Sequence, residues 1–281
     1  MIAFFSFLRC EISLNKSSDE YLVEPEGIRL ALTEVQGVSE NEVARIIEEP
    51  PFKDIADFYL RVKPTRRTLE RLALLGAFDS FGGKRRSDEA GEDPEVTRGD
   101  IIARVRQLNA IKNRPASEAN QPTLDFQVLE RLPTGNIEPT MAEKVSAELS
   151  LMKLDVSEHV IELYRPMLED MGVVNANELV GLRNKSEVLI AGGRVATQTP
   201  PMRSGKRVVF ISLDDGTGCS DSTFFDEAQA RCSHILFNTR LVLIAGKTRR
   251  TGVRGVSIMA ENAWDIRELW QQWQQKTQAA G

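Results

Sequence analysis

Two stretches in the second half of the chain hold cations where phosphate could be gripped. Gln198 to Lys206 carries Arg203 and Lys206, Thr248 to Gly255 carries Arg249, Arg250 and Arg254, and Arg207 and Lys247 adjoin them. Cations on Gly-bearing loops attract a polyanion without reading its sequence. In the first half, Val35-Gln36-Gly37-Val38-Ser39 sets a glycine between apolar residues. That spacing makes a tight turn whose backbone N–H groups are left to meet an anion. Downstream, Arg61, Lys63, Arg66, Arg67 and Arg71 form a basic run opposed only by Glu70. Between the halves, Gln121-Pro122-Thr123-Leu124-Asp125-Phe126 spaces an amide, an aliphatic and an aromatic anchor as a short docking peptide does. Each feature has a plainer reading: a helical hairpin closed by glycine, a solvated helix face, a hexapeptide arising by chance.

Catalytic chemistry is harder to find. Asp214-Asp215 suggests a metal-binding pair, but Gly216-Thr217-Gly218 follows it between two strands, and Asp and Gly are the residues turns demand. His159 and His234 are the only histidines and lie far apart, so no zinc site or His-based triad is encoded. No catalytic residue, metal ligand or cofactor is expected in this chain.

The basic loops need a scaffold, and the flanking residues write one. Val188 to Thr197, Arg207 to Leu213 and Cys219 to Phe225 read as strands, Asp226 to Leu236 as a helix, and Arg240 to Lys247 and Val256 to Glu261 as strands. Three strands, a helix and two strands is the order of the OB-fold, a five-stranded barrel that binds single strands through its sheet face and the loops after strands one and four. Strand alternation sends Phe224 and Phe225 to opposite faces, and the core is the favoured place for Phe210.

The first half reads as all-helical. One helix is expected through Ile28 to Leu32, a hairpin at Val35 to Ser39, and a second helix over Glu40 to Glu49 ended by Pro50-Pro51. Thr65 caps a helix burying Leu69, Leu72, Ala73 and Leu75, which Gly76 closes, and Asp100 is expected to cap another. The expected organisation is a helical region over 1–113 with a helix-hairpin-helix at 28–83, and a Pro-rich linker over 114–140. A helical connector over 141–185, the barrel over 186–263 and a C-terminal helix or tail over 264–281 follow. The fold class is multidomain α+β.

Composition excludes several classes. The net charge of -5 and a pI near 5.4 do not announce a nucleic-acid binder, yet residues 186 to 261 hold ten Arg/Lys against seven Asp/Glu. MIAFFSFL lacks a basic leader region and falls far short of the ~20 residues of a membrane span. It reads as a start cut into the middle of something larger, and no membrane association is expected. Cys10, Cys219 and Cys232 show no paired spacing, which suits reduced thiols and a cytoplasmic location.

Taken together, IRLALTEVQGVSENEVARII, RTLERLALLGAFDSFG, AELSLMKLDVSEHVIELYRPMLEDMG, GGRVATQTPPMRSGKRVVFISLDDGTG and GKTRRTGVRGVSI resemble, in collinear order, the C-terminal part of bacterial C-family DNA polymerases (DNA polymerase III alpha-type). The error-prone, damage-tolerant branch is the most similar, over roughly residues 11 to 266. The resemblance implies DNA as the partner: duplex at the hairpin residues Gln36, Gly37, Val38 and Ser39, single-stranded template at the barrel. It implies docking on the sliding clamp, or on a damage-tolerance partner protein, through Gln121, Leu124 and Phe126, although Pro122 and the Leu-Asp-Phe order depart from the commoner Leu-Phe ending. The family adds nucleotides with palm-domain aspartates holding two Mg2+ ions, and those residues lie upstream of anything in this chain, so no polymerase activity is expected from it alone. A free-standing single-strand DNA or RNA adaptor, in which the barrel suffices, stays open on the residues, as does a decayed remnant without function.

Overall fold

The computed structural model describes residues 9–81, 96–112, 135–200, 207–250, 252 and 255–280. It divides into two compact units, Phe7–Glu158 and His159–Gly281.

The first unit begins with three short strands, β1 (Arg9–Cys10), β2 (Leu22–Glu24) and β3 (Gly27–Arg29), in the order β1-β3-β2. The helix expected over Ile28 to Leu32 is therefore absent. Ile28 and Arg29 pair with Val23 and Leu22 of β2, and Arg29 holds the Glu24 carboxylate at 2.6 Å. The consecutive residues Leu30, Ala31 and Leu32 are all buried, a run that a one-faced helix does not bury, and only Leu32–Glu34 makes a 3-10 turn. Four helices then follow. Ser39 caps α1 (Glu40–Glu48), Asp54 caps α2 (Ile55–Val62), and Thr65 caps α3 (Arg66–Leu74), after which Gly76 turns the chain at φ +76°. Helix α4 (Arg98–Lys112) starts three residues earlier than expected. Thr97 Oγ1 accepts from the Asp100 N–H and Asp100 bonds back to the Thr97 N–H, so Asp100 is the reciprocal member of a cap rather than the cap itself. Thr140 and Glu143 form a capping box on α5 (Met141–Leu151). The core centres on Phe52, Phe58 and Phe78, packed edge to face at 5.1 and 5.3 Å, with Leu69, Leu72, Ile101 and Val105 around them. Each such side chain contributes about 1.5–3 kcal/mol by leaving water.

The second unit opens with a 3-10 turn (Val160–Tyr164), α6 (Arg165–Asp170) and a second 3-10 turn (Ala176–Gly181). A closed barrel follows: β4 (Glu187–Gln198), β5 (Val209–Asp214), β6 (Cys219–Phe224), α7 (Asp226–Asn238), β7 (Leu241–Arg250) and β8 (Val256–Asp265). The spatial order is β4-β5-β6-β8-β7, closed by β7 on β4, with β6 and β8 parallel and every other pair antiparallel. This is an OB-type barrel, with α7 between its third and fourth strands placing Ala228, Cys232, Ile235 and Leu236 in the core. Two hydrogen-bonded carboxylates shape the β5–β6 turn. Asp215 accepts from the N–H groups of Ala176, Thr217 and Gly218, and Asp214 from that of Gly216. Helix α8 (Ile266–Ala280) is polar but not loose: Trp270 meets the Tyr164 ring edge-on, Trp273 stacks on Trp270 at 5.1 Å, and the Trp273 indole donates to Asp170. Among the described residues no helix is long and apolar enough to cross a membrane.

Candidate nucleic-acid interfaces

The hairpin is built by Gly37, whose φ of +76° is open to glycine and costly for other residues. The Val38 N–H donates to Val35 O at 3.2 Å, closing the turn. Fewer hairpin N–H groups face outward than the motif alone suggests. That of Gln36 donates to Leu151 O at 2.8 Å and that of Ser39 to Glu42 Oε2 at 3.2 Å, which leaves Gly37 without an acceptor among the described residues. The side chains of Gln36 and Ser39 are exposed, and Val38 is half-buried against the core. Glu42, buried at 3% exposure, organises this end of the unit. Burial alone would raise its pKa, but hydrogen bonds from the Thr65 N–H, the Ser39 hydroxyl and N–H, and the Thr68 hydroxyl hold it at about 2.

The basic run divides by task. The Arg61 guanidinium bonds Glu49 and Asp57 and lies 4.9 Å over the Phe52 ring, so it is structural. Arg66 pairs with Glu70 at 2.9 Å one turn along α3, while Lys63 and Arg67 are exposed without an ion pair among the described residues. Arg66 and Arg67 occupy the first turn of α3, where the helix dipole disfavours cations. Helix stability therefore does not explain them.

On the barrel, strand pairing lines up outward residues in two rows. Phe210 on β5 pairs with Thr223 on β6, Thr223 with Met259 on β8, and Met259 with Lys247 on β7. Beside it run Ser212, Asp221, Ser257 and Arg249 in the same strand order. At ~4.8 Å between strands each row spans about 14 Å, room for two or three stacked bases. Phe210 is 38% exposed, and Met259 and Arg249 are exposed as well. The core placement favoured for Phe210 is thus corrected: Val209, Ile211 and Leu213 fill the barrel, and alternation turns Phe210 outward. Phe224 is the core member of its pair and Phe225, 41% exposed, precedes α7. Met259 was not singled out from the sequence, although its place after the buried Ile258 carries the same alternation signal.

The other sequence-derived cations fall out differently. Arg207 is exposed at the entry to β5. Lys247 lies 3.2 Å from Glu261 and 3.7 Å from Glu187, and the Glu261 hydrogen bond in particular raises its pKa. Arg250 donates to Leu182 O at 2.8 Å and its N–H meets Asn184 Oδ1, so its reach is spent on the segment leading into the barrel. Arg203, Lys206 and Arg254, and the Gln121, Leu124 and Phe126 peptide, lie outside the described residues.

The model of the helix-hairpin-helix motif matches residues 10–88. The error-prone DNA polymerase of Symbiobacterium thermophilum is 32% identical over 230 residues, 78% of this chain and 21% of that protein. The error-prone DNA polymerase of Xanthomonas campestris pv. campestris is 28% identical over 254 residues, 88% of this chain and 21% of its own length. The chain thus spans about a fifth of the length of these relatives. Among solved structures, a mitochondrial single-stranded DNA binding protein from S. cerevisiae aligns with 29% of this chain and 94% of its own at 17% identity and a TM-score of 0.23. That score is too low to add to the strand order, on which the barrel assignment stands.

Proposed function

Because the chain is homologous to a segment of error-prone DNA polymerases, we propose that it is the DNA-contacting part of such an enzyme. In this reading the helix-hairpin-helix holds duplex by its backbone, and the barrel holds the single-stranded template. Replication and repair past damaged template, in the cytoplasm, is the setting, and Gln121, Leu124 and Phe126 dock a sliding clamp or a damage-tolerance partner protein. Mg2+-dependent nucleotide addition belongs to a palm domain elsewhere in the enzyme.

The observation that carries the template assignment is the outward row Phe210-Thr223-Met259-Lys247 with Arg249 beside it. Phe210 offers a ring for a base, Met259 an apolar neighbour, and Arg249 a charge for the backbone, next to loops whose sequence adds Arg203, Lys206 and Arg254. Base stacking on an aromatic is worth about 1–3 kcal/mol, so Phe210→Ala should weaken binding of a fluorescent oligothymidine about tenfold with little change in salt slope. Arg249→Ala should weaken it less at 100 mM salt but lower the slope of log affinity against log salt by about 0.7. Arg250→Ala, whose side chain is already engaged, should alter the slope least. Anisotropy titrations at two salt concentrations that leave Phe210→Ala and Arg249→Ala at wild-type values would sink the barrel assignment.

A further inference from the structure

Two glycines of the helical unit, Gly37 and Gly76, share a φ of +76° and an arginine packed into the space where a side chain would begin. At Gly76 the arginine is Arg98, and the added Cβ would sit 2.2 Å from its Nη2. Arg98 is almost fully buried and, although its Nη1 also has no hydrogen-bond partner among the described residues, its charge is met, with Asp79 at 2.5 Å and Glu11 at 3.3 Å. At Gly37 the arginine is Arg71 of α3, and the added Cβ would sit 1.7 Å from Nη1 and 3.2 Å from Nη2. Here no carboxylate among the described residues forms an ion pair with it. Arg71 Nη1 is buried and has no hydrogen-bond partner among the described residues, and the adjacent Gly37 N–H has none either. An unpaired buried donor costs stability, and an apolar side chain of similar length would fill the notch without that cost.

We propose that Arg71 and the Gly37 N–H together form an anion seat for one phosphodiester of duplex DNA, with Arg71 supplying the charge behind the hairpin turn and Gly37 the hydrogen bond at its tip. The proposal rests on the reading of the hairpin as a duplex-binding element and names a residue on the third helix as part of it. Glycine at position 37 then serves two ends. It permits the left-handed turn, and it lets a guanidinium approach the backbone as no residue with a Cβ would. The planar, permanently charged group suits a phosphate, and among the described residues no carboxylate pairs with it.

The test uses the full chain and a 20-base-pair fluorescent duplex, titrated at several salt concentrations. Arg71→Met keeps length and packing and removes the charge. It should weaken binding about tenfold at 100 mM salt and lower the salt slope by about 0.9, the loss of one phosphate contact. Arg71→Lys should keep the slope and most of the affinity. Hydrogen exchange of the peptide spanning 35–39 in Arg71→Met should match wild type, which separates a lost charge from a disordered hairpin. Wild-type affinity and slope in Arg71→Met would overturn the seat while leaving duplex binding intact. Faster exchange at 35–39 with an unchanged slope would reduce Arg71 to a brace and also overturn it. A wild-type chain that binds no duplex even at low salt would overturn the hairpin reading and the seat with it.

Discussion

Glu42 ties the starts of two helices with one carboxylate. It accepts from Ser39 at the head of α1 and from the Thr65 N–H at the head of α3, at 2.8 Å. Both helix dipoles and four donors favour the charged form, and they outweigh the desolvation of a nearly sealed site. Because the folded pKa is about 2, below the ordinary 4.5, the carboxylate contributes stability that is full above about pH 5 and is lost as pH falls toward 2. The shift corresponds to about 3 kcal/mol. Glu42→Gln should lower unfolding stability by about 2 kcal/mol at pH 7 and flatten the stability change between pH 5 and 2.5. Urea unfolding of both proteins at those pH values checks it; equal acid sensitivity in the two would refute the linkage. The spacing Ser39-x-x-Glu42 is a local capping pattern that was not singled out from the sequence, and the Thr65 N–H that Glu42 also holds is 23 residues away, where no local spacing points.

At the level of elements, the barrel was the most legible part and the start of the chain the least. Alternating strands, an Asp-Gly turn and a helix before the fourth strand are local signals, and the structure repeats them in order. Which side Phe210 faces depended on register with its neighbours, and Arg250's engagement depended on Leu182 and Asn184, 68 and 66 residues earlier. The stretch Ile28 to Leu32 is ambiguous because Leu30, Ala31 and Leu32 form a short apolar run, a pattern that short strands and helices share. One glycine in the barrel makes a sharper claim. At Gly246, where the β7–β8 register shifts, a Cβ would stand 2.3 Å from the Met259 carbonyl oxygen and 2.8 Å from Ile258 Cγ2. Backbone on the far strand has nowhere to go, so Gly246→Ala should cost about 2 kcal/mol and loosen the strands that present Met259, Lys247 and Arg249. Thermal unfolding would show the loss, and an unchanged midpoint would argue against the close approach. Gly181, with open space around it and no positive φ, is the control and should accept alanine with a far smaller cost.

For the molecule as a whole, the net charge of -5 sets the terms of any contact with DNA. Long-range attraction is weak, so in the proposed reading binding rests on local groups: Arg66, Arg67 and Arg71 in one unit, Phe210, Met259 and Arg249 in the other. The carboxylates that resemble a metal pair are already committed. Asp215 accepts three backbone N–H groups and the Thr217 hydroxyl, and Asp214 accepts the Gly216 N–H, so both carboxylates build the turn and Asp215 has its acceptor sites largely filled by it. The chain also corresponds to only about a fifth of the length of its polymerase relatives. Contact and chemistry should therefore separate in one tube. Mixed with a primed template, four deoxynucleotides and Mg2+, the 281-residue chain should retard the template in a gel yet extend no primer. Alanine at both Asp214 and Asp215 should lower barrel stability through the lost turn without changing that outcome. Extension above the protein-free control, abolished by the same two substitutions, would instead make these aspartates catalytic and reverse the assignment of the chain as a DNA-holding part.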